Sequence, residues 1–535
     1  MQLSITNTPF KQMLLRIKGK HSKIFFLALC FFALASCSKG NDSKTGLPPK
    51  DTVSNNTTIP EEPFPELSRF KIPMQDFIGV NGFHEDDVEL TKAAGVLRAY
   101  CNWDWFQGDN PGDQLIFQNS RGGWYFDDAF RKIKNAGIKT AMCFQGAIKN
   151  LHGTTNFKYD DKPIDAPGMS TTNPESYTQI ANTLYQIAAR YGKTKVAPEK
   201  LNVPAGQKVS GLDLLEYIEV WNEPDKDWEG PNAYFSPQEY AAMLSKCYDK
   251  IKEADPNMKV VMGGLATLSV QYVKEMKAWF EANRADKKFA ADVVNMHIYA
   301  FNNKIIWGQT WPLFGPAETP EDARLKEKSA EIVKYCLQNV PHAEVWISEF
   351  GWDTYTESAL CPKRIANLSV NEVQARWIVR GYLGFAAAGV DRAQLFVLYD
   401  PGQNTDGTSF ATSGLIDRSL NFSKKTSWYY VRSMKEILKD MNFFGEQASN
   451  NPDIVIYKFI DSSKKGVYAV WCKTSANKTI ENYKLPVSKH ATHAEKTELL
   501  DKNETGEKSS LEITGNSVTI TVSEKPVFIT VNNIL

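Results

Sequence analysis

The chain has no surplus of charge: across 535 residues, 62 basic and 62 acidic side chains cancel, and the isoelectric point lies near 7. Nucleic-acid binders rely on a basic face or stripe against the phosphates, so that class has no footprint here. No apolar run reaches the length of about 18 residues that a membrane-spanning helix needs. Cysteine is sparse, eight residues at wide and irregular separations with no C-x-x-C pair, which excludes a compact disulfide scaffold and a zinc cluster. The seven histidines contain no H-E-x-x-H motif and no pair spaced four apart. Metal catalysis therefore has no support, and no cofactor is called for. The chain also lacks internal repeats. Its 12% aromatic content and ordinary glycine and proline usage argue against disorder and for roughly two to four folded domains.

What is present begins with an address. Lys11, Arg16, Lys18, Lys20 and Lys23 occur without one acid and precede the apolar stretch 24–35, a positive region followed by a hydrophobic one too short to span a bilayer. The stretch ends in Leu34-Ala35-Ser36-Cys37, which resembles the lipobox of bacterial lipoproteins. The resemblance implies cleavage before Cys37, lipidation of that cysteine, and a membrane-anchored lipoprotein, periplasmic or at the outer-membrane surface. A plain signal peptide is the alternative. Residues 1–36 thus form a signal segment, and residues 37–70, rich in Ser, Asn, Thr, Pro and acids, read as a flexible tether. Without the signal, 57 basic residues face 62 acidic ones, a mild solubilising excess.

From residue 71 to 442 short apolar runs alternate with helical patterns, the rhythm of parallel strands joined by crossover helices. Eight strands are predicted, at 77–81, 96–100, 139–144, 217–221, 259–263, 293–297, 344–348 and 394–399, which is the count of a (β/α)8 TIM barrel. Amphipathic segments lie between them, several opening on good caps such as Ser236-Pro237-Gln238-Glu239. Over residues 443–535 the pattern turns to β alternation (IVIYKFI, GVYAVWC, NSVTITV, PVFITVN), predicting a C-terminal antiparallel β-sandwich as an accessory domain. The fold class is α/β barrel plus sandwich.

In such a barrel the C-terminal strand ends carry the chemistry. The fourth strand runs through Trp221 into Asn222-Glu223-Pro224, and the seventh runs through Ser348 into Glu349-Phe350-Gly351. Two carboxylates at one mouth suit hydrolysis of a glycosidic bond, one protonated to assist the leaving oxygen and one ionised to attack the anomeric carbon. An Asn beside the acid is placed to bond the sugar 2-hydroxyl, a contact that strengthens in the transition state.

The W-N-E-P string at 221–224 and the later strand-end Glu in WISEFGW resemble glycoside hydrolase clan A, whose members are retaining enzymes on this barrel. The resemblance implies that Glu223 is the acid/base and Glu349 the nucleophile. It also matches Arg98 in VLRAY to the clan's arginine near the nucleophile, and His297 and Tyr299 in NMHIY to its sixth-strand His-x-Tyr pair. The sandwich is similar to the accessory domain of family 39 and related members, and family 5 is the other near pattern. Two positions depart from the clan: its eighth-strand tryptophan corresponds here to Tyr399 or Phe396, and the third strand ends in Gln145 where some members place histidine. Both bear on sugar recognition rather than on the reaction.

Aromatic residues follow many of the predicted strand ends: Trp103, Trp105, Phe106, Trp124, Trp228, Tyr234, Trp307, Trp311 and Trp352. Flat rings bury the C–H faces of sugars, so Trp103, Trp228, Trp352 and Tyr399 are candidate substrate-binding residues, with loop packing as the alternative for each. Long loops at 145–175 and 300–322 are predicted on the same side, where binding elements gather. Together these features predict a lipid-anchored, monomeric, retaining glycoside hydrolase of a poly- or oligosaccharide, with carbohydrate as its partner and the membrane met only through Cys37. Two alternatives stay open, a glycan-binding lipoprotein without turnover and a transglycosylase, which differs only in how well the site excludes water.

Overall fold

A computed structural model of the chain describes residues 72–152, 158–306, 313–403 and 409–535. The signal segment, the tether, Cys37, Trp307 and Trp311 lie outside the described residues. From Ile72 onward the barrel and the C-terminal strands form one compact unit.

Eight parallel strands close the barrel: β1 (Ile78–Gly82), β2 (Val96–Asn102), β3 (Lys139–Gln145), β4 (Tyr217–Val220), β5 (Lys259–Met262), β6 (Val293–His297), β7 (Glu344–Phe350) and β8 (Arg392–Leu395). They pair in the ring order β1-β8-β7-β6-β5-β4-β3-β2, so each strand neighbours its sequence neighbours and β4 stands opposite β8. Seven fall where the apolar runs place them, and the eighth, expected at 394–399, starts two residues earlier and ends at Leu395. Residue 302 onward holds a short hairpin, Asn302–Ile306 with Leu313–Gly315, where the sequence suggests only a long loop.

Among the described residues seven long helices follow the strands: α1 (Phe126–Asn135), α2 (Thr178–Tyr191), α3 (Pro237–Ala254), α4 (Val270–Asn283), α5 (Leu325–Asn339), α6 (Val370–Ala387) and α7 (Thr426–Leu438). β1 and β2 are joined by the single turn Val88–Thr91 instead. The start of α3 is fixed by a reciprocal cap, in which Glu239 N–H donates to Ser236 Oγ and Ser236 N–H donates to the Glu239 carboxylate, satisfying two of the donors a helix start leaves open. Ser269 and Ser369 cap α4 and α6 with their hydroxyls.

Because parallel barrel strands are covered on both faces, they read as nearly continuous apolar runs. Inside, Ala141, Tyr217, Val261, Val293 and Trp346 pack one layer of the core. Polar side chains interrupt the apolar interior, among them Asn81, Arg98, Glu219, Asn295, His297, Ser348 and Glu349, all buried. Buried polar groups must find partners in the protein, and most of these find them in one another.

The C-terminal strands are β9 (Asn442–Glu446), β10 (Ile454–Ile460), β11 (Gly466–Cys472), β12 (Thr479–Pro486), β13 (Ala494–Glu498), β14 (Glu507–Leu511), β15 (Ser517–Ser523) and β16 (Val527–Val531). A six-stranded sheet in the order β9-β10-β11-β16-β13-β14 faces the pair β12-β15 across one core that includes Ile456, Val470, Leu485, Ile520, Val522 and Ile529.

The sandwich is tied to the barrel by charge as well as packing. Arg380 on α6 pairs with Glu321 and donates to the carbonyls of Lys473 (2.9 Å) and Thr474 (3.1 Å), while Trp471 Nε1 donates to Glu321 Oε1 at 2.8 Å. Removing one partner of such a buried set strands the other charge. Arg380→Ala is expected to lower stability by about 3 kcal/mol, read as a fall in the denaturant midpoint; an unchanged midpoint would refute the role given to this joint.

Candidate active site

Side chains two apart on a strand share a face, and at the barrel mouth this rule assembles the site. Arg98 and Tyr100 on β2 both point inward, as do Glu219 and the chain leading to Asn222 after β4, and Asn295, His297 and Tyr299 on and after β6. Arg98 lies at the centre. Its Nε and Nη2 each donate to Glu219 at 2.7 Å, and Nη2 also reaches Asn222 Oδ1 at 2.8 Å. Nη1 donates to Asn81 Oδ1, Tyr100 Oη and Glu349 Oε1, each at 2.8 Å.

Glu349 is therefore surrounded by donors. Oε1 accepts from Arg98 and, at 2.5 Å, from the Tyr100 hydroxyl, and Oε2 accepts from the Tyr299 hydroxyl at 2.9 Å. Burial pushes its carboxyl up, but His297, Arg98, Tyr100 and Tyr299 together hold it below the ordinary glutamate value. This is a carboxylate kept ionised inside a protein.

Glu223 sits opposite on a strained turn. Trp221 and Glu223 both adopt left-handed backbone, with φ of 76° and 48°, conformations that cost of order 1–3 kcal/mol each and gather at functional sites. The turn is held by Glu223 N–H donating to the Gly264 carbonyl at 3.0 Å. Glycine is required beside it: a Cβ on Gly263 would stand 2.9 Å from the Trp221 carbonyl oxygen, and one on Gly264 would stand 2.2 Å from His297 Nε2. The result is a Glu223 side chain 23% exposed against 8% for Glu349, one carboxyl group open to solvent, the other sheltered.

His297 bridges the two acids. Its Nδ1 is 3.0 Å from Glu223 Oε1 and its Nε2 is 3.5 Å from Glu349 Oε1. Burial pulls the imidazole down, and Glu349 and Glu223 more than offset this, leaving it above its ordinary value. A carboxylate oxygen of each glutamate and a ring nitrogen of His297 all lie within 4.8 Å of one another. Such a donor set resembles a metal site, but the Arg98 charge 2.8 Å from Glu349 opposes a cation there.

Glu223, Glu349, Asn222, Arg98, His297 and Tyr299 thus come together. The aromatic candidates do not. Trp103 and Trp352 are wholly buried: Trp103 packs on Phe144 and bonds Gln107, and Trp352 packs between Phe350 and Trp377 and donates to the Glu318 carbonyl. Neither presents a face to a sugar, because long loops need cores of their own and large rings supply them. Trp105, Phe106 and Trp124 join the same packing around His84 and Phe126. Trp228 and Tyr234 are half-buried on the loop after β4. Tyr399 is 8% exposed, with Arg418 over its ring and Phe422 at its edge, and no contact joins it to the carboxylates.

Four residues of the site are absent from the sequence-level candidates. Tyr100, Glu219 and Asn81 are polar residues within apolar strands, a signal that the two-residue period would have turned into a contact set with Arg98. Phe410, whose ring meets Tyr299 at 5.0 Å, comes from the loop after β8 and carries no such signal. At the third strand end, Gln145 Nε2 donates to Asn102 Oδ1 at 3.3 Å, where the Tyr159 hydroxyl also donates at 2.5 Å.

No family model matches the sequence, and no curated protein matches it. Solved structures do match in fold. A family 39 glycoside hydrolase from the gut symbiont Bacteroides cellulosilyticus is similar over 86% of this chain and 81% of its own, at 18% identity and a TM-score of 0.58. A monomeric beta-xylosidase from Caulobacter crescentus covers 87% of this chain and 98% of its own, at 12% identity and a TM-score of 0.56. A GH30 endoxylanase from Clostridium papyrosolvens covers 87% and 98%, at 13% identity and a TM-score of 0.52. The fold is that of the clan A glycoside hydrolases, a TIM barrel with a β-sandwich.

The paired titrations give a pH window. Glu349, depressed in the folded state, contributes stability that is present above the ordinary 4.5 and lost as pH falls through its folded value. His297, raised, contributes stability that is present below 6.5 and lost as pH rises through its folded value. Tyr299→Phe removes a donor from Glu349 and is expected to move that carboxyl upward, read by carbon NMR of labelled glutamate. A titration that does not move would show that Tyr299 leaves the charge untouched.

Proposed function

We propose that the protein is a retaining glycoside hydrolase of a poly- or oligosaccharide. The observation that carries this reading is that one carboxylate oxygen of Glu223 and one of Glu349 lie within 4.8 Å of each other, too near for a pair that lodges a water between its carboxyl groups. Inverting enzymes hold their carboxyl groups roughly 6.5–9.5 Å apart to lodge a water, and retaining ones about 5–5.5 Å. The ionised state of Glu349 supports the same assignment.

In the first step Glu223, as the acid, gives its proton to the glycosidic oxygen while the C1–O bond breaks and Glu349 bonds to C1, forming a glycosyl ester. Oε1 of Glu349 carries both Arg98 and Tyr100, whereas Oε2 carries Tyr299, which leaves Oε2 the freer oxygen to attack. Arg98 and Tyr100 then take up the charge that returns to Oε1 when the ester breaks. In the second step Glu223, now a carboxylate, takes a proton from water as that water's oxygen attacks C1 and Glu349 departs. The bond from Glu223 to His297 orients the acid through both steps, and Asn222, fixed by Arg98, is set to bond the 2-hydroxyl.

Glu223→Gln is expected to lower kcat/KM about 10²–10⁴-fold, and Glu349→Gln to abolish turnover, measured on whichever glycan of a polysaccharide panel the unmodified protein cleaves. Full activity in either variant would sink the assignment. A 2-fluoro glycoside should leave its adduct on Glu349, found by mass spectrometry of peptides; an adduct on Glu223 would reverse the roles.

We also propose that the mature protein is anchored by lipid at Cys37, on the support of the Leu34-Ala35-Ser36-Cys37 motif. Cys37→Ala should end incorporation of labelled fatty acid and release the protein from the membrane fraction, and retention of both would refute the anchor.

A further inference from the structure

Phe410 is held where a bulky residue does not go unaided. Its φ is 71°, left-handed backbone that makes a large side chain an outlier. The loop is clamped to keep it there. Phe410 N–H donates to Asp353 Oδ2 at 2.8 Å, the Phe410 carbonyl accepts from Ser413 Oγ at 2.9 Å, and Asp353 Oδ1 accepts from Thr412 N–H at 3.4 Å. Asp353 is itself wholly buried and held by the Ser358 hydroxyl. What this clamp delivers is a half-buried ring at right angles to Phe396, 5.8 Å away at 84°, and against Tyr299, 5.0 Å away at 71°. Tyr299 is the residue whose hydroxyl bonds Glu349.

The placement of a sugar follows from the reading of Glu223 and Glu349 proposed above, on which this inference rests. C1 must lie between the two carboxylates and the 2-hydroxyl must turn toward Asn222 at the tip of β4. In a pyranose ring C5 lies across from C2, so C5 points away from β4. Across the barrel from β4 stands β8, whose tip carries Phe396 and whose loop carries Phe410. We infer that Phe410 and Phe396 form an apolar corner against the C5 side of the bound sugar, and that this corner selects sugars with no polar group beyond C5.

The reason is desolvation. Among the described residues the corner is built from ring carbon, so a 6-hydroxyl or 6-carboxylate set against it gives up water without gaining a partner. A bare C5 or a methyl group loses nothing and buries apolar surface.

The test needs binding rather than turnover. Hydroxypiperidine iminosugars, which mimic the charge of the glycosyl transition state, are titrated by calorimetry in gluco, galacto and manno configurations, each with and without the hydroxymethyl group. In the configuration that binds best, the compound lacking hydroxymethyl should bind about tenfold tighter. Phe410→Asn accepts the left-handed backbone more readily and offers an amide to the hydroxyl, so it should erase or reverse that ratio. Equal affinity for the two members, a ratio unchanged in Phe410→Asn, or no binding by any pair would overturn the inference. Preference without hydrolysis of any glycoside supports this inference and overturns the hydrolase reading, whereas hydrolysis without preference does the opposite.

Discussion

Arg98 is a cation taken out of water, and the barrel mouth is arranged around that fact. An ion so buried costs several kcal/mol unless its geometry is nearly complete. Here one guanidinium touches residues from β1, β2, β3, β4 and β7: Asn81, Tyr100, Cys143, Glu219 and Glu349. Glu219, with two oxygens on Arg98 and further bonds from Gly264 N–H and Asn295 Nδ2, balances the charge permanently. Glu349 shares only one corner of the same cation. It is held ionised while sharing that cation with a second carboxylate.

The same cation links Glu349 to the turn that carries Glu223. Asn222 is fixed by Arg98, and Asn222 precedes Glu223 in the strained turn, so the position of the acid and the charge of its opposite number derive from one side chain. The glycines at 263 and 264 complete this from the next strand by leaving room for the turn and for the imidazole between the acids. Each is needed for what it does not occupy.

Much of this is legible in the amino-acid sequence. Eight apolar runs with helical patterns between them give the barrel, because burial on both faces forces parallel strands to be apolar, and the strand-end rule then isolates Glu223 and Glu349. Legibility ended at the loops. Trp103 and Trp352 follow strand ends as a sugar platform would, yet their rings point into the loop cores, and nothing in local sequence separates a ring that supports a loop from one that the loop displays. Phe410 shows the converse: its position depends on Asp353, 57 residues earlier, and no periodicity connects them. Tyr100 and Glu219 fall between these cases, since alternation along their strands carries the information.

The Arg380–Glu321 joint bears on more than the seam between barrel and sandwich. Glu321 belongs to the short segment after β6 whose Glu318 carbonyl holds the Trp352 indole, three residues past Glu349. Trp352 in turn rests on Trp377 of α6, the helix that carries Arg380. The C-terminal strands therefore grip the scaffold directly behind Glu349. For anyone trimming this protein to its barrel, a cut at residue 442 would not shed a passive appendage; it would remove the outer wall of the bracket on which Glu349 is mounted.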